Sequence, residues 1–266
     1  MSAATSESQP ALLRDDADGI ATLTMNRPEQ MNLLTSEMLG ALGSALDAIA
    51  KDTSVRVVVL AAAGKGFCAG HDLKEIRALH EPAKIEALFA TCSGVMRAIE
   101  ALPQPVIARV QGAAAAAGCQ LVAQCDLAVA SETAKFVTPG VTWGFFCSTP
   151  GVAIGRNLQR KHALEMLLTG DVVDASKALA WGLVNRVAPA GAALLDDTLA
   201  WLAPLLEGAP LAMRAALEAV RAALSLPLDA GLDAERRGYE LCLTSDDRRE
   251  ALRAFAEKRP PVFRGR

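Results

Sequence analysis

Two stretches of this chain combine small residues with a position that could bind a developing negative charge. Residues 61 to 73 read AAAGKGFCAGHDL and residues 112 to 126 read GAAAAAGCQLVAQCD. Each follows a β-branched run, VRVVVL (55 to 60) and PVIARV (105 to 110), so each stands where a chain leaves a sheet edge and ligands commonly bind. In the second stretch the alanines keep side chains short and Gly118 permits close backbone approach. The first amides of the following helix are then open to a ligand, and a helix N-terminus offers unpaired N–H donors and a favourable dipole. One donor from each crossing would make an oxyanion hole, in which loss of a donor costs roughly 2.7 to 4 kcal/mol of transition-state stabilisation. Close packing of a helix on a sheet uses the same small residues, so these segments alone leave both readings open. GKGFCAG matches neither GxGxxG nor a Walker A loop, which argues against a nucleotide site.

Six titratable or nucleophilic positions accompany these crossings or follow them. Asp72 is placed to cap the helix LKEIRAL. His71 is a candidate for proton transfer, since the unperturbed pKa of a histidine suits that task. In GFFCSTPG (144 to 151), Cys147 and Ser148 could carry chemistry, with burial as a packing residue the favoured reading for Cys147. His162 and Glu165, in RKHALEMLL, read as an exposed pair and a partner contact.

The elements that must position these residues follow from periodicity. GIATLTMN (19 to 26) alternates and follows a DDADG turn, which predicts a hairpin over 11 to 26. Ser36 is placed to cap a helix with Met38, Leu39, Leu42, Leu46 and Ile49 on one face, ahead of the buried strand VRVVVL. A helix over 84 to 102 ends at Pro103, and PVIARV, LAVASE and KFVTP read as further strands. From about residue 197 the chain is helical, punctuated by Pro210 and Pro227. Strand–strand–helix units followed by a helical tail indicate an α/β or α+β enzyme.

Composition narrows the function. The chain has 266 residues, 52% hydrophobic and 21% charged, enough to bury one large core. A formal charge of -3 provides no field for nucleic acid or an anionic membrane, so an anionic ligand must be held locally. The six cysteines lack metal-ligand spacing and a disulfide pattern. The first ten residues lack a signal-like pattern, and no apolar stretch is long enough to span a bilayer, so a cytoplasmic protein is expected.

Taken together, NRPEQMNLLTSEM, AAAGKGFCAGHDL, QGAAAAAGCQLVAQCDLAVASETAKFVTPGVTWG, LLTGDVVDASKALAWGLVNRV and AFAEKRPPVFRGR resemble the enoyl-CoA hydratase/isomerase (crotonase) superfamily, in its enoyl-CoA hydratase domain-containing subgroup. The resemblance covers residues 11 to 266. It implies a spiral of ββα units over residues 1–196 and a helical oligomerisation region over 197–266, assembled as a homotrimer or as a hexamer built from two trimers. It implies an acyl-CoA partner, with coenzyme A present only as part of the substrate and with no permanent cofactor or metal. The thioester oxygen would be held by the N–H groups of His71 and Ala117, with Gly118 giving close approach. Met31, Leu33, Ala69, Asp72 and Leu73 would line the CoA path near Cys147, Arg27 would meet a phosphate, and Phe255 and Lys258 would reach a neighbouring subunit's cofactor.

The departures from that pattern bear on the reaction. Hydratases of the superfamily use two glutamates as acid and base, and this chain has Gln120 and Gly140 in their places. A carboxamide orients water without exchanging a proton near neutrality, and glycine has no side chain. Each lost acid or base removes about 10²- to 10⁴-fold of rate. The expected activity is therefore a thioester-enolate chemistry in which ordinary hydration is slow or absent. Binding of acyl-CoA without turnover, a role as an assembly subunit, and thioester hydrolysis are the alternatives.

Overall fold

A computed structural model describes residues 9–147 and 149–266; Ser148 lies outside the described residues. The chain opens with the expected hairpin. Strands β1 (Leu12–Ala17) and β2 (Ile20–Met25) pair antiparallel across Asp18 and Gly19, whose φ angles are 51° and 80°. A two-residue turn with both φ values positive matches the twist of the strands it joins, which is why Asp-Gly occupies it. Helix α1 (Ser36–Ile49) is capped by Thr35 and not by Ser36: the Met38 N–H donates to Thr35 Oγ1 at 3.2 Å. Thr35 is the residue in extended conformation, the backbone state a cap requires.

Next come β3 (Val57–Ala62), α2 (Leu73–Ala78), α3 (Pro82–Ala101), β4 (Val106–Val110), β5 (Ala113–Ala115), α4 (Ala117–Gln124), β6 (Leu127–Ser131) and β7 (Lys135–Val137). After them are α5 (Pro150–Asn157), α6 (Arg160–Thr169), β8 (Val173–Asp174), α7 (Ala175–Trp181) and β9 (Arg186–Ala188). The chain ends in α8 (Ala192–Glu207), α9 (Pro210–Ser225), α10 (Leu228–Thr244) and α11 (Asp246–Glu257).

One six-stranded sheet has the order β1-β2-β3-β4-β6-β9, parallel from β2 onward, and a three-stranded sheet has the order β5-β7-β8. The chain alternates between them: β4 enters the large sheet, β5 the small one, and α4 follows. The next turn repeats this with β6, β7 and α5. An earlier turn has the same plan in reduced form, with β3 in the large sheet and Cys68 bridged to Ala114 beside the small one, before α2 and α3.

Both faces of the large sheet are covered, as the unbroken apolar run of β3 requires. Val58, Leu60, Val106 and Ala108 share one core with Leu42 and Leu46 of α1 and Val95 and Ile99 of α3. Val57, Val59 and Ile107 face the other way and pack on Leu202 of α8. Helix α8 spans residues 196 and 197, so the helical tail begins on the sheet itself. Arg221 of α9 adds a clamp: it donates to both carboxylate oxygens of Asp126 at 2.8 and 3.0 Å and to the Leu102 carbonyl at 2.8 Å. Among the described residues no helix is long and apolar enough to cross a membrane.

Candidate active site

The two glycine- and alanine-rich crossings meet. The Cys68 N–H donates to the Ala113 carbonyl at 3.1 Å and the Ala115 N–H donates back to the Cys68 carbonyl at 2.8 Å. Helix α4 lies so close that a Cβ on Gly118 would stand 2.1 Å from the Cys68 oxygen, so only glycine fits. A Cβ on Gly70 would stand 3.1 Å from the Ala115 oxygen and 3.3 Å from the Ala117 nitrogen. The amides of Ala117 and of His71, the residue after Gly70, are thus brought into one neighbourhood. Among the described residues neither N–H has an acceptor. Ala116, which precedes α4, holds φ 48° and ψ -118° and donates its own N–H to the Val137 carbonyl at 2.9 Å. An alanine held in that region costs on the order of 1 to 3 kcal/mol and persists only where the surroundings impose it.

Of the residues expected to act here, Gln120, His71, Gly140 and Cys147 supply no carboxylate. Gln120 is 8% exposed, and its Oε1 has no hydrogen-bond partner among the described residues. The His71 ring lies edge-on to Phe89 of α3, centroids 4.9 Å apart, with Nε2 buried and likewise unpartnered. Burial pushes that imidazole below its ordinary 6.5, against an opposing pull from the Glu75 carboxylate. At Gly140 a Cβ would meet the Cys147 nitrogen at 2.7 Å and the Cys147 Sγ at 2.9 Å. The Gly140 N–H donates to that sulfur at 3.1 Å. Burial pushes the Cys147 thiol up from 9.0 although the Gly140 N–H pulls the other way, so the thiol stays protonated near neutrality and is a weak nucleophile.

The other expected residues have varied surroundings. Asp72 caps α2, accepting from the Lys74 and Glu75 N–H groups at 2.8 and 3.4 Å. Met31, Leu33 and Ala69 are half-buried, and the Ala69 N–H donates to the Met31 carbonyl at 3.0 Å. Leu73 is exposed, as is Phe255 at 86%, and Lys258 closes α11 with φ 56°. Arg27 is already engaged: its guanidinium donates to Glu37 at 2.9 Å and to the carbonyls of Gln9 and Asn26 at 2.8 and 2.9 Å. That makes it a brace for the 26-to-37 segment. His162 and Glu165 do not form an exposed pair. The first stacks on Trp181 at 4.7 Å and the second meets Lys177 at 2.8 Å, because α7 packs beside α6.

Two residues not anticipated from sequence hold the first crossing. Asn32 is fully buried, donates to the carbonyls of Ala63 and Gly66 at 2.9 and 3.0 Å, and accepts from the Arg27 N–H at 2.9 Å. Gln111 reaches the carbonyls of Ala62, Gly64 and Gly66 at 2.9 to 3.1 Å. An amide residue beside a glycine-rich loop is the available signal, but its partners lie 31 to 49 positions away.

Comparison with known proteins agrees with this architecture. The enoyl-CoA hydratase/isomerase family model matches residues 15–266. The mitochondrial enoyl-CoA hydratase domain-containing protein 3 of Danio rerio is 39% identical over 257 residues, covering 97% of this chain and 89% of that protein. The 2,3-dehydroadipyl-CoA hydratase of Escherichia coli K12 is 35% identical over 248 residues, covering 93% and 96%. Among solved structures, an enoyl-CoA hydratase of Mycobacterium smegmatis superposes with a TM-score of 0.91 at 47% identity, covering 96% of this chain and 99% of that one. Human enoyl-CoA hydratase domain-containing protein 3 gives 0.88 at 37%, covering 95% and 100%. With its alternating two-sheet spiral, this chain belongs to the enoyl-CoA hydratase/isomerase (crotonase) superfamily, in its enoyl-CoA hydratase domain-containing subgroup.

Proposed function

We propose that this protein is an acyl-CoA-binding enzyme that holds a thioester oxygen between the N–H groups of His71 and Ala117 and so stabilises an enolate-like intermediate. The observation that supports this reading is a pair of amides with no acceptor among the described residues, on two crossings laced together through Cys68, Ala113 and Ala115. Fixed donors aimed at charge that appears only during reaction lower the barrier without reorganisation. An unsaturated CoA thioester as substrate is in keeping with the hydratases this chain is similar to. Coenzyme A then arrives with the substrate, over Met31, Leu33, Ala69 and Leu73, and no resident cofactor takes part. Exposed Phe255 suits contact with a neighbouring subunit in a trimer or hexamer. We assign the protein to the cytoplasm, whereas its animal relatives are named mitochondrial.

Ordinary hydration is slow in this reading. Gln120 offers a carboxamide where a carboxylate is needed, and the Cys147 segment packs where a side chain on residue 140 would start. The same packing favours a second reading, in which the protein binds acyl-CoA without turnover. Two measurements on the purified protein separate them: loss of the enoyl absorbance of crotonyl-CoA, and calorimetric titration with a saturated CoA thioester. Turnover of crotonyl-CoA or a longer enoyl-CoA supports the enzyme, binding without turnover at every chain length supports the binder, and no binding at all rejects both. Release of free thiol would instead identify a hydrolase.

A further inference from the structure

A cavity of about 550 Å³ lies at the opposite end of the large sheet from the two crossings, below the N-terminal ends of β3 and β4. Its walls are residues 52 to 56, Pro103 to Pro105, the first turn of α9 and the C-terminal residues Phe263 to Gly265. That last wall is pinned. The N–H groups of Arg264 and Gly265 donate to the carboxylate of Asp247, itself 3% exposed, at 2.6 and 2.8 Å.

Several donors without an acceptor among the described residues face the cavity. Helix α9 has no side-chain cap and begins with Pro210, and among the described residues the N–H groups of Leu211 and Ala212 have no acceptor. A bare N-terminus of a helix this long attracts anions. Arg56, Arg214 and Arg264 stand around it. Arg56 donates to the Gly208 carbonyl and Arg214 is shared with Glu218, but the Arg264 guanidinium has no partner among the described residues. The one carboxylate of the lining, Asp52, is occupied by Ser54 and Arg14. Two lining residues also carry a buried polar atom without a partner, Arg56 Nε and Gln104 Oε1. Gln104 is only 7% exposed, and its NH₂ group is spent on the carbonyls of Ile49 and Asp52. Buried polar atoms are satisfied in nearly all native proteins, so each orphan needs an explanation.

We infer that this cavity is a second binding site, for a small organic acid that also carries a hydroxyl group. Its oxyanion lies at the start of α9 between Arg56 and Arg264. Its hydroxyl donates to Gln104 Oε1 after a small side-chain shift, and its carbon chain lies against Pro105, Met213 and Phe263. The site is independent of the chemistry proposed for the crossings.

The full chain is titrated calorimetrically with three probes: 3-hydroxybutyrate, butyrate and inorganic phosphate. The expected result is saturable binding of 3-hydroxybutyrate about tenfold tighter than butyrate, the scale of one hydrogen bond to a buried acceptor. Phosphate should bind more weakly than either. Arg264→Glu, a change on an exposed side chain that preserves folding, should weaken 3-hydroxybutyrate at least about tenfold. The affinity for a CoA thioester should stay unchanged. Gln104→Leu should abolish the preference for the hydroxy acid. The inference is overturned by absence of saturable heat for 3-hydroxybutyrate up to about 10 mM, by equal affinities for the two acids, or by an unaltered affinity in Arg264→Glu. It is also overturned if a CoA thioester competes with 3-hydroxybutyrate, which would place the acid at the crossings.

Discussion

Gln120 and Gly140 differ in what restoring a carboxylate would require. Position 120 already carries a side chain of glutamate's shape, so Gln120→Glu should fold and raise crotonyl-CoA hydration at least about tenfold, followed by enoyl absorbance. No gain in a folded variant would remove Gln120 from the reacting carbons. Position 140 has no such room. Gly140→Glu should fail to add activity and should destabilise the protein by about 1 to 3 kcal/mol in urea unfolding, because its Cβ collides with Cys147. Placing glutamates at both positions therefore requires the turn ending at Cys147 to be rebuilt as well. His71 gives a pH prediction. Its folded pKa is lowered by burial, so protonation opposes folding. Its neutral form is fully compatible with the fold above 6.5, and stability should fall as pH drops from there through the depressed folded value. Urea unfolding at a series of pH values should show a smaller loss in His71→Gln than in the parent protein.

At the scale of elements, the start of α4 sets the geometry of the proposed site. Gly118→Ala should push the helix off the first crossing, costing about 1 to 3 kcal/mol and lowering CoA-thioester affinity together with any turnover. A variant with undiminished affinity would show that the approach of α4 to Cys68 is only packing. Ala116→Gly tests the other side of the junction. Glycine accepts the φ of 48° without strain, and that relief should outweigh its greater freedom in the unfolded chain, stabilising the protein by about 1 kcal/mol.

For the whole molecule, the attachment of the helical tail is the quantity to test. Arg221 of α9 reaches across the chain to Asp126, at the start of β6, and both side chains are largely buried. Arg221→Ala should cost about 2 to 3 kcal/mol, since it leaves Asp126 with one backbone donor in place of a charge-assisted pair. If α9 carries the assembly surface, light scattering should also show fewer chains per particle than the trimer or hexamer expected of the parent protein. Large exposed apolar side chains between residues 143 and 172, among them Trp143, Phe145, Phe146 and Leu168, belong to the same question. A monomeric parent protein would leave them without a partner.

The order of strands and helices and the hairpin at Asp18-Gly19 were legible in the sequence, as were the two glycine- and alanine-rich crossings that the fold brings together. Those features depend on local periodicity and on residues a few positions apart. The cap at Thr35, the commitment of Arg27 to Glu37 and the face of His71 turned to Phe89 were not, since each depends on a backbone angle or a neighbour that the sequence leaves unspecified. The sequence by itself determined that position 120 carries no carboxylate and that position 140 carries no side chain. Only the tertiary structure decided that the first is a buried side chain whose place a carboxylate of the same shape would fill, whereas the second is a glycine crowded by the backbone and sulfur of Cys147, seven residues away. Glycine reads the same whether the space beside it is open or filled, and only the folded chain brings up the atoms that fill it.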